Sequence, residues 1–462
     1  MTLDQLRKKI ERKDARLAVI GLGYVGLPVA CMFAEKGFDV LGIEILPERV
    51  AKINAGVSPI EGEEPGLESL LAKVTSRGLM RASSDYQDLS DRDVILIDVE
   101  TPVDENNIPG YNALRAVLRN LGPVLQVGSL VVVESTIAPG TIHNVVKPLL
   151  EESSGRKLNE GFYLGNCPER VMPGKLLVNL RTMSRVVGGM TPETAETMVA
   201  LYRHIVQADL DPTDSVTAEL VKTAENAYRD VQIAFANEVA LICQAVGGDV
   251  WKVRQLVNKS PFRQMHLPGA GVGGHCIPKD PWLLAYGVRQ MPQSLISATA
   301  AADEQEVPLR LIPAARAVND SMPHNIANLL QDALHSAGRE LADTRILVLG
   351  YAYLEDSDDT RNSPSKALVE RLKKMKAEVV IHDPYVPEYQ GELEQLARNA
   401  DAAVLMVAHS QYKKLDLNGL KNLLRTPVFI DGRGLFSAAQ LKQAGLTYRI
   451  IGVSVQEQKS MR

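Results

Sequence analysis

Short apolar runs alternate with glycine turns and amphipathic stretches from Leu17 onward. The run LAVI is followed by the turn GLGYVG, the helical stretch LPVACMFAEKG and a second apolar run, FDVLGIE. Further runs at 93–99 (DVILIDV) and 129–136 (SLVVVEST) are separated by helical stretches such as YNALRAVLRNLGPVL. Apolar strands that alternate with helices are typical of a parallel sheet wound with helices. We therefore predict a first Rossmann domain over residues 1–205.

Residues 213–246 contain neither glycine nor proline and are followed by Gly247-Gly248, which predicts one long helix. After a helical region, a second strand-helix-strand pattern begins with RILVLGYAY, SPSKALVERLKKM and EVVIHDPYV. The predicted fold is α/β, with two Rossmann-like doubly wound domains joined by a central helical region. We place the central dimerisation and catalytic region at 206–335 and the second Rossmann-like domain, which would bind the substrate, at 336–462.

The composition narrows the functional classes. The chain has 462 residues, 45% of them hydrophobic and 23% charged, with a formal net charge of -5. This balance lacks the basic footprint of a nucleic-acid-binding protein. The N-terminal MTLDQLRKKIERKDAR has no apolar signal core, and no run approaches the ~20 apolar residues of a membrane span. We expect a cytoplasmic protein that binds neither nucleic acid nor membrane.

The turn GLGYVG has the spacing of a dinucleotide-binding fingerprint. It follows a predicted strand and opens a predicted helix, and Glu44 lies 23 residues after Gly21 at the end of the next strand. Gly21 would form the tight turn, Gly23 would let a pyrophosphate approach, and Gly26 would allow close packing. Glu44 would accept a hydrogen bond from a ribose hydroxyl and repel a 2′-phosphate, so the predicted cofactor is NAD. The alternative is a glycine turn kept for packing.

A second glycine-rich stretch, PGAGVGGHCIPKDP at 268–281, contains Cys276. The four cysteines are far apart and form no CxxC pair, which favours reduced thiols and no metal site. His275, Lys279 and Asp280 would supply a charged or hydrogen-bonding neighbourhood for the thiol. We expect the glycines of this stretch to leave room for a substrate: Gly271, Gly273 and Gly274. In a nicotinamide enzyme such a thiol could trap an aldehyde; the alternative is a buried structural cysteine.

Seven motifs in this chain resemble those of the UDP-sugar 6-dehydrogenases. They are GLGYVGLP, Thr101-Pro102, EST (134–136), CPERVMPG (167–174), ELVKTAENAYR (219–229), GVGGHCIPKDPW (271–282) and DDTRNSP (358–364). They occur in the family's order and cover nearly the whole chain. The family oxidises the C6 alcohol of a UDP-hexose to a carboxylate with two NAD, so the resemblance implies this reaction and a supply of uronate for polysaccharide synthesis.

The resemblance also implies catalytic roles. Cys276 matches the nucleophile that would form a thiohemiacetal and then a thioester. Lys222 and Asn226, one helical turn apart, match the donors that surround the reacting oxygen. Glu169 and Asp280 match two carboxylates that would divide the acid-base work, with the assignment of steps left open. Thr136 matches a threonine that helps hold a water, and a strand-end cap is an equal alternative.

Binding residues follow from the same motifs. Tyr24, Val25 and Thr101 join the cofactor-binding set. Arg170, Gly273 and Arg361 are expected to contact the UDP-sugar, with Lys175 as a further candidate near it. Arg263 matches an arginine that reaches the sugar in a neighbouring subunit, which implies a homodimer or a higher homo-oligomer.

Two departures bear on the substrate. Pro173 stands where relatives acting on UDP-glucose carry a second glutamate, which favours the branch that oxidises UDP-N-acetylhexosamines, UDP-N-acetylmannosamine above all. Tyr353-Leu354 replaces a Phe-Lys pair, so a lysine contact is lost or supplied elsewhere. The alternatives are UDP-N-acetylglucosamine or UDP-glucose as substrate, a two-electron hydroxyacid-type dehydrogenase, and a non-catalytic nucleotide-sugar sensor.

Overall fold

The computed structural model describes residues 1–60, 64–172, 174–290 and 308–454. The chain divides into two compact units. The first comprises Met1–Glu225 with Trp282–Pro308, and the second comprises Asn226–Pro281 with Leu309–Arg462. Pro173 lies outside the described residues.

The described residues of the first unit form one eight-stranded sheet in the order β3-β2-β1-β4-β5-β6-β7-β8. The strands are β1 (Leu17–Ile20), β2 (Val40–Ile43), β3 (Met80–Ser83), β4 (Val94–Ile97), β5 (Ser129–Val133), β6 (Phe162–Asn166), β7 (Arg185–Gly189) and β8 (Leu210–Asp214). The pairs are parallel except β6 with β7. The inner strands β1, β2, β4 and β5 are buried at every position, which explains why they are apolar without alternation.

Helices cover both faces of this sheet. They are α1 (Leu3–Arg12), α2 (Gly26–Glu35), α3 (Pro47–Asn54), α4 (Leu67–Ser76), α5 (Asn112–Leu121), α6 (Lys147–Ser154), α7 (Leu176–Thr182) and α8 (Pro192–Tyr202), with a π-helical turn at Ile142–Val146. Two apolar clusters fill the layers, one on each side of the sheet. The strand order reverses between β1 and β4, and ligands of doubly wound folds bind at this switch point.

The predicted long helix is confirmed as α9 (Ser215–Val246). It carries Lys222 in the part that belongs to the first unit and Asn226 in the part that belongs to the second. The helices α10 (Val250–Val257) and α11 (Asp280–Arg289) follow.

The second unit contains a five-stranded parallel sheet in the order β10-β9-β11-β12-β13. Its strands are β9 (Arg345–Leu349), β10 (Glu378–His382), β11 (Ala402–Leu405), β12 (Val428–Asp431) and β13 (Thr447–Ile450). The helices are α12 (Leu311–Ser336), α13 (Pro364–Lys374), α14 (Leu393–Ala397), α15 (Leu417–Leu423) and α16 (Ala438–Gln443). This order is the second common doubly wound topology.

The predicted fold class is confirmed: two doubly wound α/β sheets are present, and a long helix lies between them in the sequence. Strand β8 pairs with β7 and lies beyond residue 205, so the first sheet takes in residues that the sequence pattern assigned to the central region. The three-domain division stays a prediction. No helix among the described residues is long and apolar enough to cross a membrane.

Candidate active site

The first glycine turn connects β1 to α2 and is shaped by close backbone contacts. Gly21 has φ +93°, and a Cβ there would lie 2.2 Å from the carbonyl oxygen of Asp98. A Cβ on Gly26 would lie 2.0 Å from the carbonyl oxygen of Gly21. Apart from its own chain neighbours, no atom of the described residues lies within 4 Å of a Cβ built on Gly23. The turn therefore needs glycine at 21 and 26 for its own packing, whereas a side chain at Gly23 would meet no other described residue.

These features fit a dinucleotide. Val25 precedes α2 without a side-chain cap, so the helix start offers backbone donors to an anion such as a pyrophosphate. Glu44 follows β2 and is 8% exposed. Its carboxylate accepts from Nε of Arg49 at 3.2 Å and from the backbone N–H of Leu46 at 3.2 Å. An oriented carboxylate at this strand end suits a ribose hydroxyl.

Two predicted residues meet at the ends of β4 and β5. The hydroxyl of Thr101 donates to the carbonyl oxygen of Thr136 at 2.6 Å. The hydroxyl of Ser135 donates to the carbonyl oxygen of Val99 at 2.6 Å. The loops that carry the predicted cofactor and water-binding threonines are thus joined to each other.

Tyr24 is also held in place. Its hydroxyl donates to Glu64, and the same carboxylate accepts from the backbone N–H of Gly174 at 2.7 Å and of Leu176 at 3.2 Å. Glu64 was not anticipated from the sequence, because a lone acid in a loop carries no pattern. It links the cofactor turn to the segment that follows Glu169.

Lys222 and Glu169 are brought together within the first unit. Lys222 is 8% exposed, and its Nζ donates to the carbonyl oxygen of Glu169 at 2.6 Å. Glu169 Oε2 is buried and accepts no hydrogen bond from the described residues. Arg170 donates to Glu225 at 2.8 Å and to the carbonyl oxygen of Ser184 at 2.6 Å, so its Nε and NH1 have protein partners.

The four cysteines differ in exposure. Cys276 is exposed, whereas Cys31, Cys167 and Cys243 are buried. Burial raises the pKa of Cys31 and of Cys167 to about 12. The thiolate is the nucleophilic form, so a raised pKa makes Cys31 and Cys167 poor nucleophiles. Cys276 is the cysteine whose side chain is accessible from outside the protein.

Around Cys276, within the second unit, a short hydrogen-bonded structure forms. The carbonyl oxygen of Cys276 accepts from the backbone N–H of Lys279 at 3.1 Å and of Asp280 at 2.8 Å. Asn226 Nδ2 donates to Asp280 Oδ2 at 2.6 Å, and Lys279 Nζ lies 3.4 Å from Asp280 Oδ1. Three predicted catalytic residues, Cys276, Asn226 and Asp280, are therefore neighbours.

The structure changes the interpretation of His275. Burial, with Lys279 and Arg361 nearby, lowers its pKa to about 4. At neutral pH the imidazole is uncharged and supplies no cation to the neighbouring thiol. Of the charged or hydrogen-bonding neighbourhood predicted from the sequence, Lys279 and Asp280 supply the charges, and His275 is left as a neutral hydrogen-bonding group.

The expectation that glycines leave room for substrate is wrong at three positions. A Cβ on Gly271 would lie 2.8 Å from Pro364, one on Gly273 2.6 Å from Cβ of Tyr353, and one on Gly274 2.8 Å from the Tyr353 ring. These glycines let the Cys276 loop pack against residues 353–364.

Two hydrogen bonds complete that packing. The N–H of Gly274 donates to the carbonyl oxygen of Arg361 at 2.8 Å, and Asn362 Nδ2 donates to the carbonyl oxygen of Gly274 at 3.0 Å. The Arg361 side chain donates from Nε to Asp359 at 2.9 Å. Arg361 thus supports the cysteine loop through its backbone, in addition to any contact its guanidinium makes with a ligand.

Arg263 is exposed in the loop after α10, and it donates to the carbonyl oxygen of Phe262 at 3.1 Å. Arg433, which follows β12 in the stretch DGRG and was not singled out from the sequence, packs against the start of the cysteine-containing stretch. Its Nε donates to the carbonyl oxygen of Met406 at 2.7 Å, and its NH1 would lie 2.6 Å from a Cβ on Gly269. The sequence feature that could have pointed to Arg433 is its position directly after a predicted strand and a glycine.

No group of three or more His, Cys, Asp or Glu side chains suited to a metal ion occurs among the described residues.

Comparison with known proteins gives matches along most of the chain. The NAD binding domain of the UDP-glucose/GDP-mannose dehydrogenase family matches residues 15–206. The central domain of that family matches residues 216–321, and its UDP binding domain matches residues 347–438.

Individual relatives match over nearly their full length. A UDP-N-acetyl-D-mannosamine dehydrogenase of Pyrococcus horikoshii is 38% identical over 437 residues, which are 95% of this chain and 99% of the relative. The solved structure of a UDP-N-acetyl-D-mannosamine dehydrogenase from that organism has a TM-score of 0.85. The structure of an NDP-N-acetyl-D-galactosaminuronic acid dehydrogenase from Methanosarcina mazei Go1 is 37% identical, covers 99% of both chains and has a TM-score of 0.86.

Proposed function

Since this chain belongs to the UDP-glucose/GDP-mannose dehydrogenase family and is an NAD-dependent dehydrogenase, we propose that it oxidises the C6 alcohol of a UDP-N-acetylhexosamine to a carboxylate in two successive two-electron steps. The observation that carries this proposal is Cys276, the exposed thiol among four cysteines, with Asp280 and Asn226 beside it. A one-step dehydrogenase has no need of such a nucleophile.

The cofactor would be held by Gly21, Gly23 and Gly26 at its pyrophosphate and by Glu44 at a ribose, with Thr101 nearby. When bound, NAD supplies the acceptor for each hydride that leaves C6. The chain's own residues must then bind the sugar, manage protons and retain the aldehyde between the two oxidations.

In the first oxidation the C6 hydroxyl loses a proton as its hydride leaves. The ammonium group of Lys222 and the amide of Asn226 stabilise negative charge on the reacting oxygen, a contact that contributes roughly 3 to 4 kcal/mol per donor in other enzymes. Asp280, which accepts from Asn226 at 2.6 Å, and Glu169 are the proton acceptors. The resulting aldehyde is still bound.

The second oxidation proceeds on the enzyme. The Cys276 thiolate attacks C6 of the aldehyde, and the oxygen takes a proton to give a thiohemiacetal. Loss of a second hydride from C6 and of the hydroxyl proton gives a thioester. A water held by Thr136 then adds to the thioester carbon, and Glu169 takes a proton from this water. The C–S bond breaks to release the carboxylate and the thiol.

We propose UDP-N-acetyl-D-mannosamine as the substrate, because the Pyrococcus horikoshii relative bears that activity in its name at 38% identity. A nucleotide of N-acetyl-D-galactosamine is the second candidate, since the Methanosarcina mazei structure is similar at 37% identity over 99% of both chains. We further propose a cytoplasmic role in supplying the uronate product for polysaccharide synthesis.

We also propose a homodimer. The helix α9 exposes an apolar stripe at intervals of seven residues: Tyr228, Phe235 and Ile242 are 65%, 59% and 52% exposed. Side chains seven apart lie on one face of a helix, and large exposed apolar groups in a row favour pairing with a second copy. Sedimentation of Phe235→Glu beside the unaltered protein tests this assignment.

The experiment that tests the reaction measures NADH formed per limiting nucleotide sugar. We expect two NADH per UDP-N-acetylmannosamine, and the N-acetylgalactosamine, N-acetylglucosamine and glucose nucleotides run in parallel rank the substrates. Cys276→Ser should abolish this turnover, whereas Cys243→Ser, a matched change at a buried thiol of the same unit, should leave it intact. One NADH per sugar, or full turnover by Cys276→Ser, would contradict the covalent mechanism.

A further inference from the structure

Two acidic residues end adjacent strands of the first sheet. Strands β4 and β5 are parallel with Ile97 opposite Val133, and the residues that follow these two are Asp98 and Glu134. Both carboxyl groups are therefore placed side by side at the carboxyl edge of the sheet. Glu134 is 1% exposed, which makes a second negative charge beside it costly.

The Glu134 carboxylate has its own cationic and neutral donors. Arg185 NH1 lies 3.1 Å from Glu134 Oε1, and the Tyr202 hydroxyl donates to the same oxygen at 2.7 Å. The guanidinium of Arg185 lies 5.2 Å from the centre of the Tyr202 ring. One buried cation thus balances one buried anion, and the charge belongs on Glu134.

Among the residues that the structure describes, Asp98 forms no ion pair with a cation of its own. Asp98 Oδ2 and Glu134 Oε2 are buried, and neither receives an N–H or O–H donor from another group among the described residues. Burial, together with the neighbouring Glu134, raises the pKa of Asp98 well above its usual range. Two carboxyl groups side by side with one guanidinium balance its charge only when one of them keeps a proton. The other ionisable groups that face the pair are Arg185 on β7, Tyr202 on α8, and Cys167 and Glu169 after β6.

Asp98 also packs against the glycine turn that would bind the cofactor. A Cβ on Gly21 would lie 2.2 Å from the Asp98 carbonyl oxygen, and one on Gly26 would lie 3.0 Å from Asp98 Cβ. The N–H of Asp98 donates to the carbonyl oxygen of Ile20 at 2.8 Å. A displacement of Asp98 would therefore displace the turn that approaches the dinucleotide.

We propose that Asp98 and Glu134 share one proton, carried by Asp98, and that this neutralised pair positions the glycine turn for NAD binding. Both are positioning residues, acting through Gly21 and Gly26. The proposal depends on the assignment of the glycine turn to NAD binding. It is independent of the covalent chemistry at Cys276, so a failure of the shared-proton proposal would leave the covalent mechanism standing, and the reverse.

Three variants test the proposal: Asp98→Asn, Asp98→Ala and Glu134→Gln. An asparagine amide donates to Glu134 as a protonated aspartate does, so Asp98→Asn should bind NADH within about twofold of the unaltered protein. Asp98→Ala removes the carboxyl group that would carry the shared proton beside Glu134 and should weaken NADH binding about tenfold. Glu134→Gln leaves Arg185 without its anion and should be destabilising at every pH. NADH fluorescence titration measures the first two effects without turnover.

Thermal unfolding across pH 4 to 8 gives an independent readout. The unfolded chain releases the Asp98 proton above its ordinary pKa of 3.8, whereas the folded chain keeps it. The unaltered protein should therefore lose stability relative to Asp98→Asn as pH rises, by about 3 °C in Tm per pH unit, from near equality at pH 4. The proposal would be overturned if Asp98→Asn were less stable than the unaltered protein at pH 8, or if it bound NADH as weakly as Asp98→Ala. It would also be overturned if Glu134→Gln left the melting temperature unchanged.

Discussion

Substituting the open glycine of the cofactor turn should separate dinucleotide binding from folding. Gly23 does not have a positive φ, and beyond its chain neighbours no atom in the described part of the chain lies within 4 Å of a Cβ built on it. The change Gly23→Ala should therefore alter the free energy of unfolding by no more than about 0.5 kcal/mol. The added methyl group would occupy the space through which a pyrophosphate approaches the backbone, so NADH affinity should fall at least about tenfold, which is about 1.4 kcal/mol.

Gly21→Ala is the matched control, because it places the same methyl group two residues earlier. There φ is +93° and the Cβ would lie 2.2 Å from a carbonyl oxygen. The backbone strain costs about 1–2 kcal/mol, and relief of the overlap must move the end of β4. We expect a loss of about 3 kcal/mol or more, or roughly 6 °C in Tm for a domain of this size.

The assay pairs differential scanning fluorimetry without cofactor with NADH fluorescence titration of the same samples. We expect Gly23→Ala to melt with the unaltered protein and to bind NADH poorly, and Gly21→Ala to melt early. Unchanged NADH affinity in Gly23→Ala would refute the reasoning, because it would mean that the dinucleotide does not approach the turn at this residue. A large fall in Tm for Gly23→Ala would equally contradict the geometry.

Three further outcomes follow from side-chain contacts. Glu44→Ser should lower the ratio of kcat/KM for NAD over NADP about tenfold, measured with either cofactor at fixed substrate, because a 2′-phosphate no longer meets a carboxylate. Asp383→Asn should lower the free energy of unfolding by about 1–2 kcal/mol at pH 7 and by little at pH 2, as measured by denaturant titration. Burial opposes ionisation of Asp383, but hydrogen bonds from His409 and from backbone N–H groups hold its pKa at about 2. The stability that the carboxylate contributes is therefore present above pH 3.8 and is lost as pH falls. Arg316→Met should destabilise by about 3–5 kcal/mol, since it leaves Asp230, 2.6 Å from Arg316 NH1, as a buried charge; unfolding in urea with an unchanged midpoint would contradict this.

The cysteine loop shows where sequence reasoning ended. The resemblance implies catalytic roles for Cys276 and Asp280, and the structure shows that the two residues are neighbours; their roles stay a prediction. The reason for the neighbouring glycines was misread, because a glycine that admits a ligand and one that admits Tyr353 look identical in sequence. Similarly, the sequence left open whether His275 is a charged or a hydrogen-bonding neighbour of the thiol, and its burial decides for the uncharged form.

The sequence by itself determined the local elements and the dinucleotide fingerprint, and the reaction class followed from the resemblance of its motifs to a known family. Apolar runs of four or five residues predict buried strands, the absence of glycine and proline predicts α9, and the fingerprint spacing predicts the cofactor, since all of these depend on neighbours along the chain. Only the tertiary structure decided that Asp98 and Glu134 share one edge, with Arg185 as the cation beside them. These residues are 36 and 51 positions apart in sequence, and their charge states depend on strand order and burial, which no local pattern records.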